Sequence, residues 1–63
     1  MPEDKKIRFI KTFSNLPLNV RNEIVYVFPD KGPITWNVAY LEISNDTLLG
    51  KEILNKLDSL EII

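Results

Sequence analysis

Apolar positions along the chain change period four times, and each change predicts a new element. Residues 2–14 predict a helix: Ile7, Ile10 and Phe13 recur at i, i+3, i+6 with Phe9 beside them, forming one apolar stripe. Lys5, Arg8 and Lys11 fall on the opposite face. Pro2 suits a first helical position, where its missing N–H costs nothing, and Glu3 and Asp4 face the positive end of the helix dipole. Asn15 can take a left-handed cap and Pro17 blocks continuation. Residues 17–22 predict a second, short helix, with Leu16, Val20 and Ile24 spaced by four.

The pattern then shifts to a strand. Ile24-Val25-Tyr26-Val27-Phe28 are all β-branched or aromatic, the types that fit a pleated surface. Alternation sends Ile24, Tyr26 and Phe28 to one side and Val25 and Val27 to the other. Both sides are apolar, so both need cover from the flanking segments or from a second chain. Pro29-Asp30-Lys31-Gly32-Pro33 is a turn, with Gly32 left-handed as the bulge residue of a hairpin. Pro33 cannot donate to a ladder, so the returning strand is a short edge strand.

Residues 36–44 read two ways. Ile34, Trp36, Val38 and Tyr40 share one strand face, but Ala39, Leu41 and Ile43 make the other face apolar too. As a helix, Thr35 is a good N-cap, and Trp36, Ala39, Tyr40 and Ile43 follow at i, i+3, i+4, i+7; the helix is preferred. Residues 46–61 are the clearest helix, with caps offered by Ser44-Asn45-Asp46-Thr47 and a stripe of Leu49, Ile53, Leu57 and Leu60 beside Leu54. Glu52 and Lys56 are spaced for an i, i+4 pair. Gly50 costs about 1 kcal/mol against alanine within a helix, which suggests a close approach by another backbone. Ile62 and Ile63 must fold back or meet a partner.

The expected fold is therefore a small α+β domain: an N-terminal helix, a short helical turn, an asymmetric β-hairpin and a C-terminal helix or helix pair. The alternative is α-β-β-α with a long second strand reaching residue 43. The chain has 63 residues and forms one domain. Small scaffolds usually need a staple, yet cysteine and histidine are both absent. With neither a disulfide nor a zinc site to draw on, self-association or unusually good packing is the expected remedy.

Charge changes the picture only locally. The net charge is −1, so no overall attraction to nucleic acid or anionic membrane is expected. Residues 1–29 are net basic and residues 30–63 net acidic, a split that could favour head-to-tail pairing of subunits. The longest apolar run is far below the ~20 residues that span a bilayer, and the N-terminus lacks a signal-peptide core. A cytoplasmic location without membrane attachment is expected.

Catalysis is not expected. The commonest general base and the thiolate nucleophile are missing, Gly32 and Gly50 do not make a phosphate loop, and Glu42 is the sole carboxylate flanked by aromatic and apolar positions. No cofactor or metal site is expected. Trp36 and Tyr40, of types enriched in binding hot spots, are candidate interaction residues together with Ile62 and Ile63; the competing role for Trp36 and Tyr40 is to cap the small core. Lys5, Arg8 and Lys11 are candidate contacts to phosphate or an acidic partner, and a solvated helix face is the competing reading.

Leu16-Pro17-Leu18-Asn19-Val20-Arg21-Asn22-Glu23-Ile24 resembles the L-P-x-x-x-x-x-E-[IV] segment of some small VapB-like antitoxins. The resemblance covers nine residues, and a strand-forming run follows where those antitoxins continue as helix. It implies a helix starting at this segment and a role in toxin neutralisation. The leading expectation is a non-catalytic protein-interaction module that self-associates as a homodimer or other homo-oligomer. The alternative is a small nucleic-acid-binding or antitoxin-like regulator.

Overall fold

A computed structural model describes residues 2–63, with side chains from Asp4 onward. The readings of Pro2 and of the Glu3 side chain lie outside the described side chains. The order is α1 (Pro2–Ser14), a 3-10 turn (Val20–Asn22), β1 (Ile24–Phe28), β2 (Gly32–Thr35), α2 (Trp36–Ser44) and α3 (Leu48–Ser59). This is the expected α+β arrangement with two C-terminal helices; the long second strand is not formed, because β2 ends at Thr35.

Thr35 ends it by capping. Its hydroxyl oxygen accepts from Val38 N at 3.1 Å, satisfying a first-turn donor that a strand would have needed elsewhere. Gly32 takes φ +83° at the hairpin, the left-handed conformation the turn requires.

The segment 17–22 is helical only as a 3-10 turn. Val20 N bonds Pro17 O at 3.0 Å, Arg21 N bonds Leu18 O at 3.3 Å and Glu23 N bonds Val20 O at 2.9 Å, all i to i−3. Tight turns of this kind seldom run long, and Glu23 is already extended. The helix start implied by the antitoxin-like segment is therefore not made. Asn15 is not left-handed either. Helix α1 instead closes with Leu16 N on Phe13 O at 3.1 Å, and Asn15 Nδ2 donates to Lys11 O at 3.0 Å.

Helices α2 and α3 both end in a Schellman motif. In α2, Thr47 N bonds Glu42 O and Asp46 N bonds Ile43 O, each at 3.2 Å, with Asp46 at φ +55°. In α3, Ile62 N bonds Leu57 O at 2.9 Å and Glu61 N bonds Asp58 O at 3.1 Å, with Glu61 at φ +58°. Helix α3 thus begins and ends two residues inside the expected 46–61. Thr47 is its N-cap, accepting from Gly50 N at 2.9 Å. Glu61 is doubly unsuited to its position: it has a Cβ where glycine is favoured, and a negative charge at a helix C-terminus. Glu61→Gly is expected to stabilise the fold by about 0.5–1 kcal/mol, read as a shift of the urea midpoint at constant slope.

The core comprises Phe9, Phe13, Phe28, Ile34, Ala39, Ile43, Ile53 and Leu57. Two expected faces are corrected. In α1 the buried line is Phe9 and Phe13, while Ile7 is 55% exposed. The stripe is rotated because Lys5 and Arg8 lie over α3, where their apolar stems cover the interface. In β1 the pairs are Ile24 with Thr35, Tyr26 with Ile34, Val27 with Pro33 and Phe28 with Gly32, leaving Val25 as a bulge. A bulge resets alternation. Val25 joins Tyr26 and Phe28 against the core, and Ile24 moves to the outside, 55% exposed, with Val27 at 58%. The strand is covered on one face only.

Candidate interaction face

Three of the basic side chains on α1 are held by acids of α3 and of the α2–α3 turn. Arg8 Nη2 donates to Asp58 Oδ1 at 2.8 Å, and Lys5 Nζ lies 3.5 Å from Asp58 Oδ2 while donating to Asn55 at 3.2 Å. Lys6 reaches Asp46 at 3.1 Å. Of the expected phosphate-contacting trio, Lys5 and Arg8 are already paired, and Lys11 alone makes no ion pair among the described residues. Arg8, with help from Lys5, holds the Asp58 carboxyl below the usual carboxylate range. A carboxylate with a depressed folded pKa contributes stability above its unfolded value, and loses it as pH falls through the folded one. The protein is therefore expected to lose more melting temperature than Asp58→Asn when acidified below about pH 4, the unfolded aspartate value. Thermal melts of the two at matched pH check this; equal losses would remove Asp58 from that role.

The hairpin tip is latched to α3. Lys31 Nζ contacts Glu52 Oε2 and Asp30 Oδ2, each at 3.2 Å, and lies 5.8 Å from the Phe28 ring centre. Glu52, and then Asp30, raise the Lys31 pKa, and Lys31 lowers that of Asp30. The expected Glu52–Lys56 pair is not formed; Glu52 serves the hairpin instead. Phe28, Glu52, Asn55, Lys56 and Ser59 line a shallow groove beside this latch. Glu42, the carboxylate singled out as a chemical candidate, accepts from the Thr47 hydroxyl at 2.6 Å and so braces the α2–α3 turn. Among the described residues no group of three or more acidic side chains converges as a metal site would require.

Trp36 and Tyr40 line one side of α2 and stack on α1. Trp36 is half-buried, 6.0 Å from Phe9 between ring centres; Tyr40 is 40% exposed and lies nearly parallel to Phe13 at 4.5 Å. Arg21 also packs on Phe13, its guanidinium carbon 4.5 Å from the ring centre. Ile63 packs against the core and Ile62 is partly exposed, so the C-terminus folds back. Tyr40 is anchored on Phe13 near the C-terminal end of α1, and Ile62 N bonds Leu57 O at the end of α3.

The most exposed single apolar side chains are Leu48 and Leu18, at 79% and 77%, but a further exposed group lies on the hairpin and α2, and it includes strand residues that the sequence reading expected to be covered. Val27 and its partner Pro33, then Ile24 and its partner Thr35, make the outer face of the hairpin. Thr35 caps Val38, and one turn later Leu41 is 57% exposed. Asn37 Nδ2 donates to Asn22 Oδ1 at 2.7 Å and Trp36 N to Glu23 O at 3.2 Å, which seats the start of α2 against the start of β1. Ile24 and Val27 are thus exposed on the hairpin, and Val38 and Leu41 on the helix seated beside its start. Residues 24–29 and 32–41 contain no charged side chain. That gap in charge, broken only by Asp30-Lys31 at the tip, is the trace this face leaves in the sequence, which the sequence reading did not use.

No family model, curated protein or solved structure matches this chain. Among the described residues no helix is long and apolar enough to cross a membrane.

Proposed function

We propose that the chain is a non-catalytic protein-interaction module that associates with itself. The observation that carries this reading is the exposure of Ile24, Val27, Val38 and Leu41 on the hairpin and α2, within stretches 24–29 and 32–41 that carry no charge. Scattered apolar side chains on a surface need no explanation, but apolar exposure gathered on uncharged stretches marks an interaction site. Two further points support it. Lys5, Lys6 and Arg8 of α1 are engaged by Asp58 and Asp46 in ion pairs, and the chain carries neither histidine nor cysteine. Trp36 and Tyr40, stacked on α1, serve mainly to close the core.

Sedimentation velocity from about 5 to 500 µM tests the reading. The expected result is a concentration-dependent shift from monomer toward dimer with a midpoint in the micromolar range, as suits interfaces below the ~1,200 Å² of stable complexes. A single monomer species across the series would overturn self-association.

A further inference from the structure

On the reading that the chain self-associates, we propose that two copies join through the free edge of β1, antiparallel, about a two-fold axis at Val27. The sheet has two strands, and β1 pairs with β2 alone. The other edge of β2 is a poor template: Pro33 lacks an N–H, and the strand turns straight into α2. The other edge of β1 has neither defect. From Ile24 to Phe28 it carries no proline and no charge, two of the devices by which edge strands refuse partners, and the bulge at Val25 leaves the stretch Tyr26–Phe28 regular.

Strand geometry selects the axis. The bulge at Val25 confines the regular ladder to Tyr26, Val27 and Phe28. A two-fold at Val27 sets Val27 against Val27 of the second copy on the outer face, and Tyr26 against Phe28 of the second copy on the core-facing side. Apolar and aromatic cross-strand pairs of this kind are favourable, and the contact is self-complementary, as two-fold symmetry demands.

Charge selects the occupant. A partner for this edge must bring a neutral, apolar strand, because residues 24–29 and 32–41 offer nothing for a charged one to pair with. A second β1 meets that requirement without opposing like charges. The antiparallel arrangement also carries the two Asp30-Lys31 tips away from each other. Area sets the strength: a standard interface takes about 800 Å² from each partner, near a fifth of the 4230 Å² surface here. A single strand edge with Val27 and Ile24 gives less, so the dimer is weak.

The chain has no cysteine, which allows a clean test. Val27→Cys is expected to form a disulfide-linked dimer under mild oxidation at least tenfold faster than Lys51→Cys, placed on an exposed position of α3. Val27→Lys should weaken dimerisation at least tenfold in sedimentation, and Leu48→Lys, on an exposed position of α3 away from the hairpin, should leave it within about twofold, with circular dichroism confirming that both fold. Unchanged dimerisation in Val27→Lys, or its loss in Leu48→Lys, overturns edge pairing while leaving self-association standing. A wild-type chain that stays monomeric throughout overturns both.

Discussion

Gly50→Ala is expected to lower the melting temperature by about 10 °C or more, although alanine is the better helix former. An added Cβ would collide with Glu42 O and lie 2.6 Å from Glu42 C and 2.8 Å from Ile43 N. All three atoms are backbone of α2, so no side chain can swing aside. The helices must separate, at the crossing where Thr47 also ties the α2–α3 turn to Glu42. Alanine returns about 1 kcal/mol in propensity. Overpacking a tight contact costs about 1–3 kcal/mol and more where the backbone has to move, and separation also loosens Ile43 and Ile53, both almost fully buried. The steric term wins by about 2 kcal/mol, and each kcal/mol shifts the midpoint of a domain this size by roughly 4–8 °C. A thermal melt followed by circular dichroism measures it, with the exposed Lys51→Ala as a control that should move little. A melting point at or above that of the parent would show that α2 and α3 do not cross closely at Gly50.

Phe9→Ala is expected to leave no cooperative folding transition at 25 °C. Phe9 is fully buried and its ring is 6.1 Å from Phe13 and 6.0 Å from Trp36. Truncating a buried phenylalanine costs about 3–5 kcal/mol in lost transfer energy and residual cavity. At about 0.05–0.15 kcal/mol per residue, a chain of 63 residues has only about 3–9 kcal/mol in total. Phe9→Leu keeps most of the volume and should cost under about 2 kcal/mol, retaining a measurable denaturant midpoint. Two variants of equal stability would mean that the ring's place in the core is not what holds α1 down.

These two sites also show what could be read from the residues alone. A glycine within a strongly amphipathic segment costs helix stability, and here it marks the backbone approach it suggested. Thr35, read as an N-cap, tilts the reading of residues 36–44 toward helix, and the structure forms that helix with Thr35 as its cap, because capping is a local interaction with a local signature. What could not be read depended on partners distant in the chain. Lys5 and Arg8 look like a solvated or anion-binding face until Asp58, fifty residues later in the case of Arg8, is folded against them. Glu52 has a well-spaced lysine on its own helix but takes Lys31 from the hairpin. The bulge at Val25 has no residue signature, since any of the five strand residues could have supplied it, and one unpaired residue was enough to move Ile24 from cover to surface. The candidate face followed from that displacement. Its trace in the sequence was an absence of charge rather than a motif.

Trp36 is the sole tryptophan of the chain. It opens α2, stacks on Phe9 of α1, and its backbone N–H holds Glu23 O at the entrance to β1. One indole therefore stands at the junction of three elements. Its emission registers the departure of any of them, so the molecule carries its own optical probe of assembly and needs no attached dye.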